Sequence, residues 1–516
     1  MKALIEKSFL FLRGRIGGFV LILLLVGWAY APSLLHLPRH DQVAYWAETA
    51  HKDDLYSLTV GSYALNRGRL FNPVDDFLFR PFLYFFLGVE KWFFGYHFPL
   101  WQATGIFLHM LCVWRLWRLL ELIQPGVFSL YATAFFALLL VNVEMVIWQN
   151  INAYIIACIL FLLALHKIVV FLRSGGRDQK SLFVSVGVLI VAAFFYEVAA
   201  VFSLCFFLVF LASGRSFARQ SWVFLIPALL SFTVSTLDFL WLNRERSLLP
   251  EPMAQWNFWQ SVYYFLLAAK WSLVAGIFSW AGDLMVFFRT VMPDRVFSWG
   301  WPWNAPSVFA LPGYILLLAV FLSLRPRGFL RTQWAGIRRD PVRWDLGRIL
   351  SLCLLAYWAV IAFGRMGSRG VLVGLGINLY YLYVVWLLLV LLTYVILAPL
   401  MASLSTKSDA GKRAVKIMVV IFVLWNAFNL RLYNTRMSDW QRPLRNLLST
   451  VQVLVKDHGN EQGFSFFVDP DFPGNIYDPW LRSRNDPPER KYRVVEAVYM
   501  KYFNPDDPAY VISFEK

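Results

Sequence analysis

The sequence predicts an all-α polytopic membrane protein of about eleven transmembrane helices, followed by a small C-terminal α/β domain outside the membrane. Three observations carry this. Of the 516 residues, 59% are hydrophobic, whereas soluble domains lie nearer 45–50%; the mean hydropathy is +0.55. Long apolar runs recur from residue 16 to about residue 430, and each is continuous and not alternating, which excludes a β-barrel. Basic residues gather at the ends of these runs, where topology places them.

The formal net charge is +16. A nucleic-acid partner does not follow from it. The charge sits in stretches such as "MKALIEKSFLFLRGR", "RLWRLL", "RSGGRDQK", "SGRSFAR", "RPRGFLRTQWAGIRRDPVRWDLGR" and "STKSDAGKRAVK", which read as cytoplasmic loops under the positive-inside rule. The four cysteines, Cys112, Cys158, Cys205 and Cys353, all fall in apolar segments. They read as small core residues, with neither metal-ligand spacing nor a disulfide framework.

The basic N-terminus and the apolar run from Gly17 to Leu37 resemble a signal peptide. The run is long for one and lacks a small-residue cleavage site before Pro38, so an uncleaved first helix is expected over about 17–37. Basic ends then orient the rest, with the N-terminus in the cytoplasm. Further helices are expected near 98–120, 127–147, 153–172, 181–195, 198–213 and 222–242, and then near 306–324, 348–364, 376–400 and 414–430. The orientation leaves 38–96 outside; parity requires 243–304 to lie wholly outside or to contain a complete hairpin, and a long outer loop is the preferred reading. The second of these loops holds "SVYYFLLAAKWSLVAGIFSW", broken by Lys270, and reads as interfacial and partly re-entrant, rich in headgroup-seeking tryptophan and tyrosine. The membrane domain is thus 1–430. Residues 431–516 are polar and proline-bearing, with strand-like "FSFFVDP" and "AYVISF" between helix-like stretches.

The first outer loop carries "RHDQVAYWAE", "HKDD" and "NPVDDFLFRPF". Carboxylates at the mouth of a membrane bundle are costly to desolvate, so they pair or act. One can serve as a general base or a metal ligand; an arginine beside it can hold a phosphate through a two-pronged contact. The plainer alternative is a solvated loop in which Asp76 and Arg80, at i and i+4, pair on a short helix, with Asp75 and Asp76 capping a helix that begins near Phe77. Both readings stand on composition. His109 lies inside its expected helix and reads first as a buried packing residue. Glu144 ends the expected helix 127–147, where a carboxylate opposes the helix dipole and hints at use. The tryptophans read as an aromatic belt before they read as sugar-stacking platforms.

The order of features resembles the GT-C superfamily of glycosyltransferases that use polyprenyl-phosphate sugars. The likeness is to the branch holding the protein O-mannosyltransferases, the tetratricopeptide-bearing transmembrane mannosyltransferases and their bacterial relatives. "HDQVAYW" with Asp41 matches the acidic motif after the first helix, and Phe79-Arg80-Pro81 the aromatic-Arg-Pro motif. The second helix of that branch carries His, Asn and His; in "WQATGIFLHML" His109 keeps the last, and Gln102 and Gly105 replace the others. "VNVEMVIWQN" with Glu144 and Trp148 resembles the motif ending the third helix, and Tyr196-Glu197 the lysine-glutamate turn. In "INLYYLY", Asn378 or Leu379 stands where the branch has arginine.

The resemblance spans residues 17–430 and implies a mechanism. A polyprenyl-phosphate sugar sits with its lipid in the membrane and its head at the outer face. Asp41 takes the proton of an acceptor hydroxyl on a glycan, lipid or protein; the hydroxyl attacks the anomeric carbon with inversion, and the phosphate leaves toward positive charge. Arg80, Lys270, Arg365 and Arg369 are the cations expected there, with Asp75, Asp76, His109, Glu144 and Glu197 as further substrate-binding candidates. The resemblance leaves a divalent metal (Mg or Mn) open, with Asp41 and Asp76 as its ligands. It places the protein in a bacterial inner membrane. Three other functions stay open: a transporter or flippase of lipid-linked sugars, an O-antigen polymerase or ligase, and a non-catalytic subunit of a polysaccharide-export complex.

Overall fold

The computed structural model describes residues 14–37, 54–61, 80–95, 97–213, 216–242, 340–364, 379–404 and 409–440, with positions 262, 265, 266 and 442 and the pairs 466–467 and 512–513. Most of the two expected outer loops, the expected helix 306–324 and most of the tail fall outside them.

Twelve helices are used below: α1 (Arg15–Tyr30), α2 (Pro81–Phe94), α3 (Phe98–Ile123), α4 (Val127–Ala137), α5 (Val143–Ile147) and α6 (Asn152–Arg173). They continue with α7 (Gln179–Phe195), α8 (Val198–Leu211), α9 (Leu225–Leu242), α10 (Pro341–Gly364), α11 (Leu379–Leu404) and α12 (Asp409–Trp440). Among the described residues five helices are long and apolar enough to cross a membrane, and six if the bent pair α4 and 140–147 is one span. A helical membrane protein is the class these define.

Packing follows hydrophobic patterning. α6 is apolar over most of its circumference, and 67% of its span is buried. It packs between α3 and α7, while α11 packs on α10 and α10 on α8. Between helices in lipid there is little hydrophobic gain, so close packing and interhelical hydrogen bonds hold the bundle. The helix ends show this. The last turn of α3 leaves carbonyls without intrahelical partners. Arg173 Nη2 donates to Ile123 O at 3.1 Å and Tyr394 Oη to Gln124 O at 2.5 Å. Arg343 Nη2 donates to the Gln124 side chain at 2.6 Å, and Arg15 pairs with Glu121 at 2.8 Å. This end of the bundle, where α1 and α10 begin and α3, α6 and α11 finish, gathers Arg15, Arg173 and Arg343 from three helices.

At the opposite end α12 closes on α1. Asn434 Nδ2 donates to Ala29 O (3.1 Å) and Arg431 Nη1 to Trp28 O (2.6 Å), satisfying carbonyls at the end of α1. These bonds explain why α12 runs on to Trp440 rather than stopping near residue 430: its polar continuation caps another helix.

The expected single helix 127–147 is broken. α4 ends at Ala137, Leu139 is extended (φ −62°, ψ 128°), and the chain resumes with a 55° bend. No Pro or Gly lies there. Asn142 sits in the apolar run, and its amide donates to Phe136 O at 2.5 Å, taking a carbonyl the helix would use. Of the tail, Phe466–Phe467 pairs in parallel with Ile512–Ser513, within the two segments expected to be strands; an α/β domain rests on residues outside the described set.

Candidate functional site

Arg80 follows from its neighbour. A residue before proline is pushed out of the helical region, and Arg80 (φ −122°, ψ 59°) is the N-cap of α2 with Pro81 at the first helical position. α2 thus begins at Pro81; the helix start expected near Phe77, with its caps Asp75 and Asp76, lies outside the described residues. Asp76, the expected partner of Arg80 four residues earlier, lies outside them too. Its Nε and Nη2 each lie 2.6 Å from a carboxylate oxygen of Glu197, a side-on, two-pronged ion pair. Nη1 donates to Tyr154 Oη at 2.5 Å.

Glu197 is set by the α7–α8 turn. Tyr196 is extended and Glu197 is the N-cap of α8, where a carboxylate complements the helix dipole. The two tyrosine rings stack, with centroids 4.4 Å apart and 14° between planes. The guanidinium carbon lies 5.3 Å from the Tyr154 centroid and 5.6 Å from that of Tyr196, within cation–π range. Tyr196 Oη reaches Tyr357 Oη at 3.3 Å. One cluster therefore joins α2, α6, the α7–α8 turn and α10 at the end opposite the arginine-rich one.

The Arg80 and Glu197 side chains are 15% and 21% exposed. Burial works against the arginine's charge, and the Glu197 carboxylate more than offsets it, so the guanidinium holds its proton more tightly than usual. Arg80 has five N–H donors. Three are used, leaving two without a partner among the described residues.

The second-helix pattern has another role. Gln102, Gly105 and His109 form one stripe on α3 at i, i+3 and i+7, and each meets a carbonyl at the broken helix. Gln102 Nε2 donates to Ile147 O at 3.2 Å. A Cβ on Gly105 would lie 2.1 Å from Val146 O, so no larger residue fits where the resembled branch has asparagine. His109 is fully buried; Nε2–H donates to Ala137 O (3.0 Å) and Nδ1 accepts from Tyr383 Oη (2.9 Å). With both nitrogens used inside the protein, His109 holds the break and is not brought to Arg80. Asn152, with its amide turned to donate, reaches Met145 O (3.2 Å) and Val146 O (3.3 Å).

Glu144 does not end a long helix. It lies in the first turn of α5, half-buried, where the dipole favours a carboxylate, and the hint drawn from an opposed dipole falls away. Asp41, Asp75, Asp76, Lys270, Arg365 and Arg369 lie outside the described residues, as does any metal site built on Asp41 and Asp76. Among the described residues no group of three or more His, Cys, Asp or Glu could hold a metal.

Sequence reading missed Tyr154 and Glu90. Tyr154, on the first turn of α6, carried only the weak signal of a tyrosine six residues past Trp148. Glu90 on α2 is 4% exposed and neither carboxyl oxygen has a hydrogen-bond partner among the described residues. Burial pushes its carboxyl well above the usual range; nearby Thr104 pulls the other way less strongly. A Glu-Lys pair in an aromatic helix reads as two surface charges, which hid it.

Fold and cluster thus define a polytopic helical membrane protein with a buried arginine–glutamate–tyrosine site at one end. Comparison of the chain with protein-family models, with characterised proteins and with solved structures gave no match.

Proposed function

We propose that the protein is a GT-C-type membrane glycosyltransferase. It moves a sugar from a polyprenyl phosphate to an acceptor hydroxyl on the extracytoplasmic face, with inversion. Asp41 is its general base, and Arg80 is its contact to the leaving phosphate. In this reading the arginine-rich end is cytoplasmic, the chain makes eleven spans in a bacterial inner membrane, and residues 431–516 lie outside.

One observation carries the reading. Arg80 and Glu197, two motif positions of the GT-C resemblance 117 residues apart, meet in one cluster at the end away from the arginines. Glu197 and Tyr154 fix the guanidinium plane, and two N–H groups have no partner among the described residues and can meet an oxyanion. A donor held in advance, where charge develops on the leaving oxygen, costs no reorganisation at the moment of reaction.

The purified protein is assayed for sugar transfer from a panel of polyprenyl-phosphate sugars, wild type against Arg80→Lys. Lysine keeps the charge and loses the fork. Transfer from one donor, falling at least about a hundredfold in Arg80→Lys, is expected. Equal transfer by both forms removes Arg80 from the phosphate contact.

A further inference from the structure

The stripe Trp344, Gly347, Arg348, Ser351, Leu352 and Leu355 on α10 lines a groove of about 450 Å³ at the arginine-rich end. The last turn of α8 and the C-terminal half of α11 form its other walls. It is apolar except at Arg348 and Ser351. Gly347 lines it beside α11, with Val395 3.8 Å from where a Cβ would stand. Leu208 and Leu355, on its rim, are 50% and 48% exposed, so it opens outward rather than into the bundle.

Arg348 stands at the end of this groove with its side chain 32% exposed. The closest carboxylate oxygen, on Asp345, is 3.9 Å away, beyond hydrogen-bond reach, and Arg348 donates no hydrogen bond among the described residues. We infer that the groove is a lipid site: it seats one acyl chain of an anionic glycerophospholipid whose phosphate rests on Arg348. The apolar walls take a chain of any lipid; the guanidinium at the mouth, with no hydrogen bond among the described residues and only a long ion pair to Asp345, selects the anionic headgroup. Trp344 puts an amphipathic ring at that level, where tryptophan favours the interface. Basic pockets between spans on one membrane face are recognised sites for phosphate-bearing headgroups. Arg348 lies nine residues along α10 from Tyr357, the Arg80 cluster's member on that helix, and the lipid site does not depend on sugar transfer.

Native mass spectrometry of the purified full-length protein tests this, with dioleoylphosphatidylglycerol and dioleoylphosphatidylcholine as competing probes. Wild type is expected to retain phosphatidylglycerol about fivefold more strongly, the effect of one cation at an anionic surface. Arg348→Gln loses that preference and Arg348→Lys keeps it; Ser351→Trp, which fills the groove, retains neither lipid. Equal retention of both lipids by wild type overturns the proposal. So does displacement by inorganic phosphate alone, which marks a free-phosphate site, or by polyprenyl phosphate at lower concentration than phosphatidylglycerol, which marks a carrier-lipid groove. Should Arg348→Gln not fold, the wild-type ratio and the Ser351→Trp result decide.

Discussion

Arg80 and Glu197 form a side-on ion pair with two contacts of 2.6 Å, across 117 residues of chain. Neither residue explains the other locally: one caps the start of α2 and the other caps α8. Their meeting fixes how α2 sits on the bundle. Removing one partner leaves a largely buried charge with its hydrogen bonds unmade, which costs more than the pair contributes. Glu197→Ala and Arg80→Ala are each expected to lower stability by about 2–3 kcal/mol. The double variant should lose clearly less than the sum. Unfolding midpoints of the four forms in one detergent give the coupling; additive losses would show that the pair is not energetically linked.

His109 is predicted to matter for stability and not for chemistry. His109→Phe fills the space but strands the Tyr383 hydroxyl and the Ala137 carbonyl, at a cost of about 2–3 kcal/mol. His109→Gln restores part of it. Any transfer activity, per folded molecule, should be unchanged in both; a selective loss of activity in stable His109→Gln would put this residue back in the site.

Two glycines make a matched pair. Gly105→Ala drives a methyl to 2.1 Å from Val146 O, in backbone that cannot step aside, and is expected to cost about 3 kcal/mol or more. A Cβ on Gly187 would meet nothing within 4 Å, so Gly187→Ala should be neutral or gain about 0.5–1 kcal/mol from chain entropy. Folded yield and unfolding midpoint separate the two.

Glu90 gives a pH signature. Its carboxyl ionises well above the ordinary value of 4.5 because it is buried. Between the unfolded and folded values the native state holds a proton that the unfolded state has released. Its contribution to stability therefore declines as pH rises through that window. Glu90→Gln, neutral throughout, is expected to be more stable than wild type at neutral pH and to show a flatter pH dependence above pH 4.5. Identical pH profiles for the two forms would contradict this.

Much of the fold was legible because apolar runs and basic ends are local signals. α6, α7 and α8 lie within a few residues of where the sequence put them. The break after Ala137 was not legible. It comes from Asn142 competing for a carbonyl and from Gln102, His109 and Asn152 serving the groups set free, and these partners are remote in sequence. The α12 extension was hidden likewise, since its polar residues read as the end of a span and act as caps for α1. In the site, Arg80 and Glu197 were each singled out, but not as a pair. The i, i+4 reading of Asp76 with Arg80 rests on a residue outside the described set, and the carboxylate that Arg80 meets among the described residues lies on another helix.

The most direct measurement is release of polyprenyl phosphate from polyprenyl-phosphate sugars by the purified protein in proteoliposomes, wild type against Asp41→Asn. The account predicts release from one donor by wild type and none by an Asp41→Asn protein with an unchanged unfolding midpoint. Release by both forms would deny Asp41 its role as base. Binding of the donors with no release by wild type would contradict the glycosyltransferase reading itself.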